Sequence, residues 1–389
     1  MDHGRRQASF TVLIFLGFVL ASCEVSHVPP TPARPNKVVL GYYSSWKKAE
    51  FDHTKIAYEN LTHIAHAFAW PDSSGNLVVP AGYLYPALNT AAHASGVKMI
   101  VSLGGWGNCA GFPGMSSAAA NRARFIGQLV DFCKTNAYDG VDIDWEFVSN
   151  AEEKANFVLF IEALGAALKA QTPALLLTLA ATSGNYYGRW VDFERLADDF
   201  DFIGFMTYDY HGDWSDHSGH NAPLFAWGGD TCGSLDETFA YGRSRQVPLA
   251  KLLVGLPFFG RSFDCARLGL PFTTCEEWSY SDIMALPSAE WTLVWDDTAQ
   301  VPYMRRPDGT KIISFDNMSS ISLKCQYVKD KSSAGVIIWE LSEDHRGGTS
   351  ELLEVVGKSF GVRWRLPHRP PDHDQAPFKE ADAGLKNPP

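Results

Sequence analysis

Short apolar, β-branched runs recur eight times along this chain, and longer segments with apolar residues at three- and four-residue spacing lie between them. The strand candidates are residues 38–43, 63–69, 98–103, 140–146, 175–180, 202–208, 252–257 and 335–339. Helix candidates between them include 120–134, 151–170, 193–200 and 320–329. An open, doubly wound sheet also alternates in this way, but eight near-regular units favour closure. The expected fold is therefore α/β, a (β/α)8 TIM barrel. A stretch from about 262 to 311 breaks the rhythm and reads as a small α+β insertion between strands 7 and 8.

The segments outside this pattern carry a different composition. Arg5 and Arg6 precede an apolar run over 10–20 that is too short to span a bilayer, and Ala21-Ser22-Cys23 follows. Residues 1–22 are expected to be a signal peptide. Leu20-Ala21-Ser22-Cys23 resembles a bacterial lipobox, which would make Cys23 an acylated N-terminus. An ordinary secretory signal leaves similar small residues, so the chain is expected to be exported and either lipid-anchored to the cell envelope or secreted. Pro29, Pro30, Pro32 and Pro35 make 23–36 a semi-rigid linker, and the Pro-rich, charged stretch 363–389 is expected to be disordered. The folded domain is then 37–362, and a monomer is expected. Its six cysteines, Cys109, Cys133, Cys232, Cys265, Cys275 and Cys325, permit three disulfides in an exported protein. Cys265 with Cys275, across a short Gly/Pro loop, is the simplest pair.

A formal net charge of −11 argues against nucleic acid or an anionic membrane surface as the partner. A neutral or cationic substrate fits better, and 24 Phe, 14 Tyr and 12 Trp supply both a large core and flat faces for a ligand.

Barrel enzymes carry their chemistry at the C-terminal ends of the strands. In Asp139-Gly140-Val141-Asp142-Ile143-Asp144-Trp145-Glu146, alternation sends Asp142, Asp144 and Glu146 to one face, with neighbours within ~7 Å. Three carboxylates so placed cannot all ionise, so protons are shared and pKa values move apart. A solvated strand face is one reading, and a Mg²⁺ or Ca²⁺ site is another, although such sites draw ligands from several loops. The favoured reading is general acid catalysis by Glu146, with Asp144 and Asp142 behind it.

At these residues the chain resembles glycoside hydrolase family 18, the chitinases and their relatives, through Asp139-x-x-Asp142-x-Asp144-x-Glu146. Ser102-x-Gly104-Gly105-Trp106 is similar to the family's SxGG element, and Met206-x-Tyr208-Asp209 to its MxYD element. The segment ending in Arg261 resembles the one that supplies a substrate-contacting arginine, with Phe259 where many relatives carry Tyr. The resemblance makes Trp339 the indole floor of the subsite holding the sugar to be cleaved. Tyr42, Phe68 and Trp106, also at strand ends, would line the same glycan cleft.

The resemblance implies substrate-assisted, retaining hydrolysis with no cofactor. Glu146 protonates the glycosidic oxygen while the substrate's 2-acetamido carbonyl attacks the anomeric carbon. Asp144 orients the acetamido group, Asp142 shares its proton, and Tyr208 bonds the acetamido oxygen. Gly105, Met206, Asp209 and Arg261 join the binding residues, whereas Asp139, Ser102 and Gly104 are motif positions with structural roles. The implied substrate is chitin or chitooligosaccharide. An endo-β-N-acetylglucosaminidase and a catalytically silent lectin are the alternatives, the second disfavoured by the presence of Glu146. Loop residues His211, His217 and His220 with Asp213 and Asp216 are spaced irregularly and read as a solvated loop, so no metal is expected.

Overall fold

The computed structural model describes Met1 and residues 37–362. The expectations for the signal peptide, Cys23, the linker and the C-terminal tail lie outside the described residues. Eight parallel strands form the central sheet: β1 (Val38–Ser44), β2 (His63–Pro71), β3 (Lys98–Gly104), β4 (Gly140–Asp144), β5 (Leu176–Ala181), β6 (Phe202–Phe205), β7 (Leu252–Pro257) and β8 (Gly335–Trp339). Each pairs with its sequence neighbour, and β1 pairs with both β2 and β8, so the barrel closes as expected.

The helices form where the sequence supplies both a stripe and a cap. In Ala151–Lys169, Phe157, Phe160, Ile161, Leu164 and Leu168 recur at helical spacing and are buried. Asn150 starts that helix by accepting the Glu153 N–H, with Glu152 and Glu153 complementing the dipole. Met318–Asp330 begins with a reciprocal cap between Asn317 and Ser320. The main core lies between the strands' outer faces and these helices, whereas Leu40, Ala65, Ala67, Ile100, Leu253 and Ile337 fill the barrel interior.

Two strands are shorter than their side-chain alternation suggests. β4 ends at Asp144 rather than Glu146, and β6 ends at Phe205 rather than Tyr208, because the Thr207 N–H turns back to the Phe205 carbonyl. The expected helix over 193–200 is confined to Phe193–Leu196. The insertion is a five-stranded antiparallel sheet, ordered Cys275–Ser279, Phe259–Phe263, Ile312–Ser314, Val301–Arg305 and Thr292–Asp296. It extends three residues beyond each end of the expected 262–311 because its central strands grow directly out of β7 and back towards the helix at Met318.

All six described cysteines are free, so the expected Cys265–Cys275 bridge is not formed. The ladder register explains this. Cys275 pairs opposite Phe263, and beyond it the chain turns so that the Cys265 thiol meets the Arg267 carbonyl instead.

Candidate active site

Asp142 sits deepest of the acidic row, with the hydroxyls of Tyr42, Ser102 and Thr178 donating to its carboxylate at 2.9, 2.7 and 2.6 Å. These come from β1, β3 and β5, so three strands hold it. Burial raises its pKa, and the three hydroxyl bonds oppose that rise. Asp144 is equally buried but differently treated: its Oδ1 has no hydrogen-bond partner. Burial, then Glu146, then Asp142 push its pKa well above the usual carboxylate range.

Glu146 stands just past the strand, and burial followed by the charge of Asp209 raises its pKa to about 7. Its backbone N–H donates to the Cys109 sulfur at 3.2 Å, while the Cys109 thiol reaches the Asp144 carbonyl at 3.3 Å. One side chain therefore braces the junction at which the loop carrying Glu146 leaves β4. The Tyr208 phenol is buried beside Asp144, Glu146, Asp209 and Asp142, which hold its proton in place and keep it a donor.

Asp209 has a left-handed backbone (φ 59°) and accepts from Arg261 Nε at 2.5 Å; Arg261 also reaches Glu277 at 3.3 Å. Burial raises the Asp209 pKa in spite of this pairing. The loop after β6 is thus tied to the inserted sheet. Met206 and Trp339 pack around Tyr208, Ala222 and Phe259, and the Phe259 ring meets Tyr208 edge-on at 5.7 Å.

The aromatic wall forms around Trp339. Phe68 stacks on it with centroids 5.7 Å apart and planes 12° apart, Tyr42 lies 5.6 Å away, and Trp46 approaches both Phe68 and Trp339. Trp106 stands apart from this wall: it is 78% exposed and has no aromatic partner among the described residues. The glycines before it are required by contact. A Cβ at Gly104 would lie 2.3 Å from the Asp144 carbonyl oxygen, and one at Gly105 would lie 2.3 Å from the Phe68 ring.

Asp139 belongs to the other end of β4. It accepts from Lys98 Nζ, the Met99 N–H and His93 Nε2, each at 2.8 Å, far from the acidic row. Trp46, Cys109, Thr178 and Asn221, whose side chain receives the Asp209 N–H, are parts of the site that sequence reasoning missed. Thr178 carried a usable signal, a lone hydroxyl in an apolar strand next to the acidic one; the other three depend on loop paths. The histidine loop is also not simply solvated. His211 and His220 are fully buried, because His211 Nδ1 meets the His220 carbonyl and His220 reaches Ser314 and Asp296 of the inserted sheet.

The model of glycosyl hydrolases family 18 matches residues 38–344. The chain belongs to this family. It is 34% identical over 279 residues to chitinase 1 of Aphanocladium album, covering 68% of this chain and 66% of that protein. With chitinase A1 of Niallia circulans it shares 31% over 442 aligned positions, covering 89% of this chain and 62% of the relative. The chain thus spans a little under two thirds of the length of these relatives. Its fold is similar to that of the Ostrinia furnacalis Group IV chitinase solved with allosamidin, with a TM-score of 0.76 at 24% identity, over 84% of this chain and 99% of that one. In this family-18 chain, the acidic row that begins on β4 is the candidate active site.

Proposed function

We propose that this protein is a chitinase, hydrolysing β-1,4 bonds between N-acetylglucosamine units with retention and without an enzyme nucleophile. The observation that carries this reading is the unequal treatment of three neighbouring carboxyls. Glu146 is poised near pH 7 to donate a proton, and Asp144 offers a buried oxygen with no partner. An acetamido N–H is the donor that such an oxygen lacks. Burying it against Asp144 directs the acetamido carbonyl at the anomeric carbon, and the Tyr208 phenol donates to that carbonyl oxygen. Asp142, held by three hydroxyls, accepts or returns the proton that Asp144 cannot keep when the oxazolinium charge develops. Glu146, now ionised, then takes a proton from the water that opens the ring. Trp339, with Phe68 behind it, provides the apolar floor for the sugar.

Release of a fluorogenic leaving group from N-acetylchitobioside and chitotrioside tests the reading. Wild type should turn over, and Glu146→Gln should lose at least ~100-fold in kcat. A folded wild type that binds the oligomers without cleaving them establishes the lectin reading instead. Cleavage of glycoproteins in preference to chitin oligomers establishes the endo-β-N-acetylglucosaminidase. Export, with lipid attachment at Cys23, rests on the Arg5–Cys23 segment, and incorporation of labelled palmitate into wild type but not Cys23→Ala tests it.

A further inference from the structure

Beyond the hydrolase centre, four side chains that are scattered in sequence converge: His211, His217, Asp230 and Cys232 place their ligand atoms within 4.8 Å of one another. We propose that they form a structural zinc site. Three of the separations are short and nearly equal. His211 Nε2 lies 3.4 Å from His217 Nε2 and 3.3 Å from Asp230 Oδ2, and His217 Nε2 lies 3.4 Å from Asp230 Oδ1. Ligand atoms about 2.0–2.1 Å from a tetrahedral zinc are separated by about 3.3–3.4 Å, close to these three edges; the two edges to Asp230 use different carboxylate oxygens, and the four ligand atoms lie within 4.8 Å of one another before any ion draws them in.

The hydrogen bonds around the cluster assign the lone pairs. His211 Nδ1 lies 2.9 Å from the His220 carbonyl, which can only accept, so that nitrogen carries the proton and Nε2 presents a lone pair. His217 Nδ1 is held 2.5 Å from the Asp216 carboxylate, which places a proton on Nδ1, so in the neutral ring Nε2 is the nitrogen left for a metal. Two imidazole lone pairs therefore point at one another, and a carboxylate faces both. The Asp230 side chain is 5% exposed, and its Oδ2 is buried without a hydrogen-bond partner among the described residues, facing His211. The Cys232 N–H donates to Asp230 Oδ1 at 3.2 Å; with both rings neutral the remaining groups that face this point are acceptors, which a cation between them would join. The Asp216–His217 pair is the outer carboxylate that orients zinc-bound histidines.

The donor set selects the metal. Two neutral imidazoles, one carboxylate and one thiolate suit tetrahedral zinc rather than Mg²⁺ or Ca²⁺, and Cys232, exposed at the rim, gives up its thiol proton on binding. The ligands' two negative charges neutralise the ion. The His211 ring is fixed from below, since a Cβ at Gly219 would lie 2.3 Å from it. His211 follows Tyr208 and Asp209 directly in the loop after β6, whereas Asp230 and Cys232 lead into the helix Leu235–Ser244. Zinc would staple the loop that carries two active-site residues to that helix. The irregular spacing of the histidines concealed the site, because half the ligands come from residues beyond the histidine loop.

Untagged full-length protein, purified under reducing conditions, tests the site by metal analysis. About one zinc per chain is expected in wild type, with His217→Ala and Cys232→Ser binding added zinc much more weakly. Asp216→Asn, which removes no ligand, should weaken zinc affinity about 10- to 100-fold. Cobalt replacement should give a thiolate charge-transfer band in wild type that Cys232→Ser lacks. Chelation should lower the Tm of wild type and leave that of His217→Ala unchanged. Absence of bound zinc together with a Tm indifferent to added zinc overturns the proposal, as does equal zinc content in wild type and the two ligand variants.

Discussion

The two ends of β4 hold carboxylates under opposite regimes. At the lower end Asp139 has a lysine, a histidine and a backbone N–H around it, and these lower its pKa despite the burial that would raise it. At the upper end no cation among the described residues approaches Asp142 or Asp144, and Asp144 has an oxygen with no partner among them. One strand thus carries carboxylates satisfied by the fold, Asp139 and Asp142, and one, Asp144, with a buried oxygen left without a partner. Conversely, the end that costs the fold most is the end where barrels keep their chemistry.

The largest test of this contrast is kinetic. Glu146→Gln should lower kcat by about 10²–10⁴-fold while circular dichroism and Tm show an intact fold, because the change removes a proton donor and not a packing group. Asp144→Asn should follow at about 10²–10³-fold, the cost of losing one group aimed at developing charge. Substrate lacking the acetamido group should lose the difference between wild-type Asp144 and the Asn variant. Comparable losses on Asp139→Asn would erase the distinction between the two ends.

The pH profile should be next in size. Glu146 acts as an acid only while protonated, so kcat/KM should fall tenfold per pH unit above about 7, where its proton leaves. Removing the neighbouring charge sharpens the point. Asp209 is the second cause of the Glu146 shift, after burial. Asp209→Asn removes that charge and should move the alkaline limb to lower pH.

How far these ends could be read in advance differs in the same way. The strand periods, the closure and the row Asp142, Asp144, Glu146 follow from residue spacing, since alternation sets facing whether or not the ladder continues. Where the ladder stops does not: Glu146 and Tyr208 keep the rhythm of a strand after the backbone has left it. Loop paths bring in Cys109, Trp46 and Asn221, and nothing local to those residues announces it. Cys265 and Cys275 were misread for the same reason, because a one- or two-residue shift in a hairpin register decides whether two thiols meet.

The smallest effect is the most direct comparison of the two ends, since it places both carboxylates on one scale. Asp139→Asn should cost about 1–3 kcal/mol at neutral pH through its charge-assisted bonds, leaving kcat unchanged. The folded pKa of Asp139 is depressed, so its contribution is complete above the unfolded value of about 3.9 and fades as pH falls through the folded value. The deficit of Asp139→Asn should therefore shrink in acid. Glu146 has the reverse sign. Its raised pKa means that the folded state favours the protonated form, so wild-type stability erodes as pH rises from about 4 to about 7. Glu146→Gln cannot ionise, and its Tm relative to wild type should climb across that same window. Parallel curves for the two variants, measured by thermal melts from acid to neutral pH, would mean that the strand's two ends share one electrostatic regime; curves of opposite slope mean that hydrogen bonds and a cation outweigh burial at the lower end, whereas burial prevails at the upper.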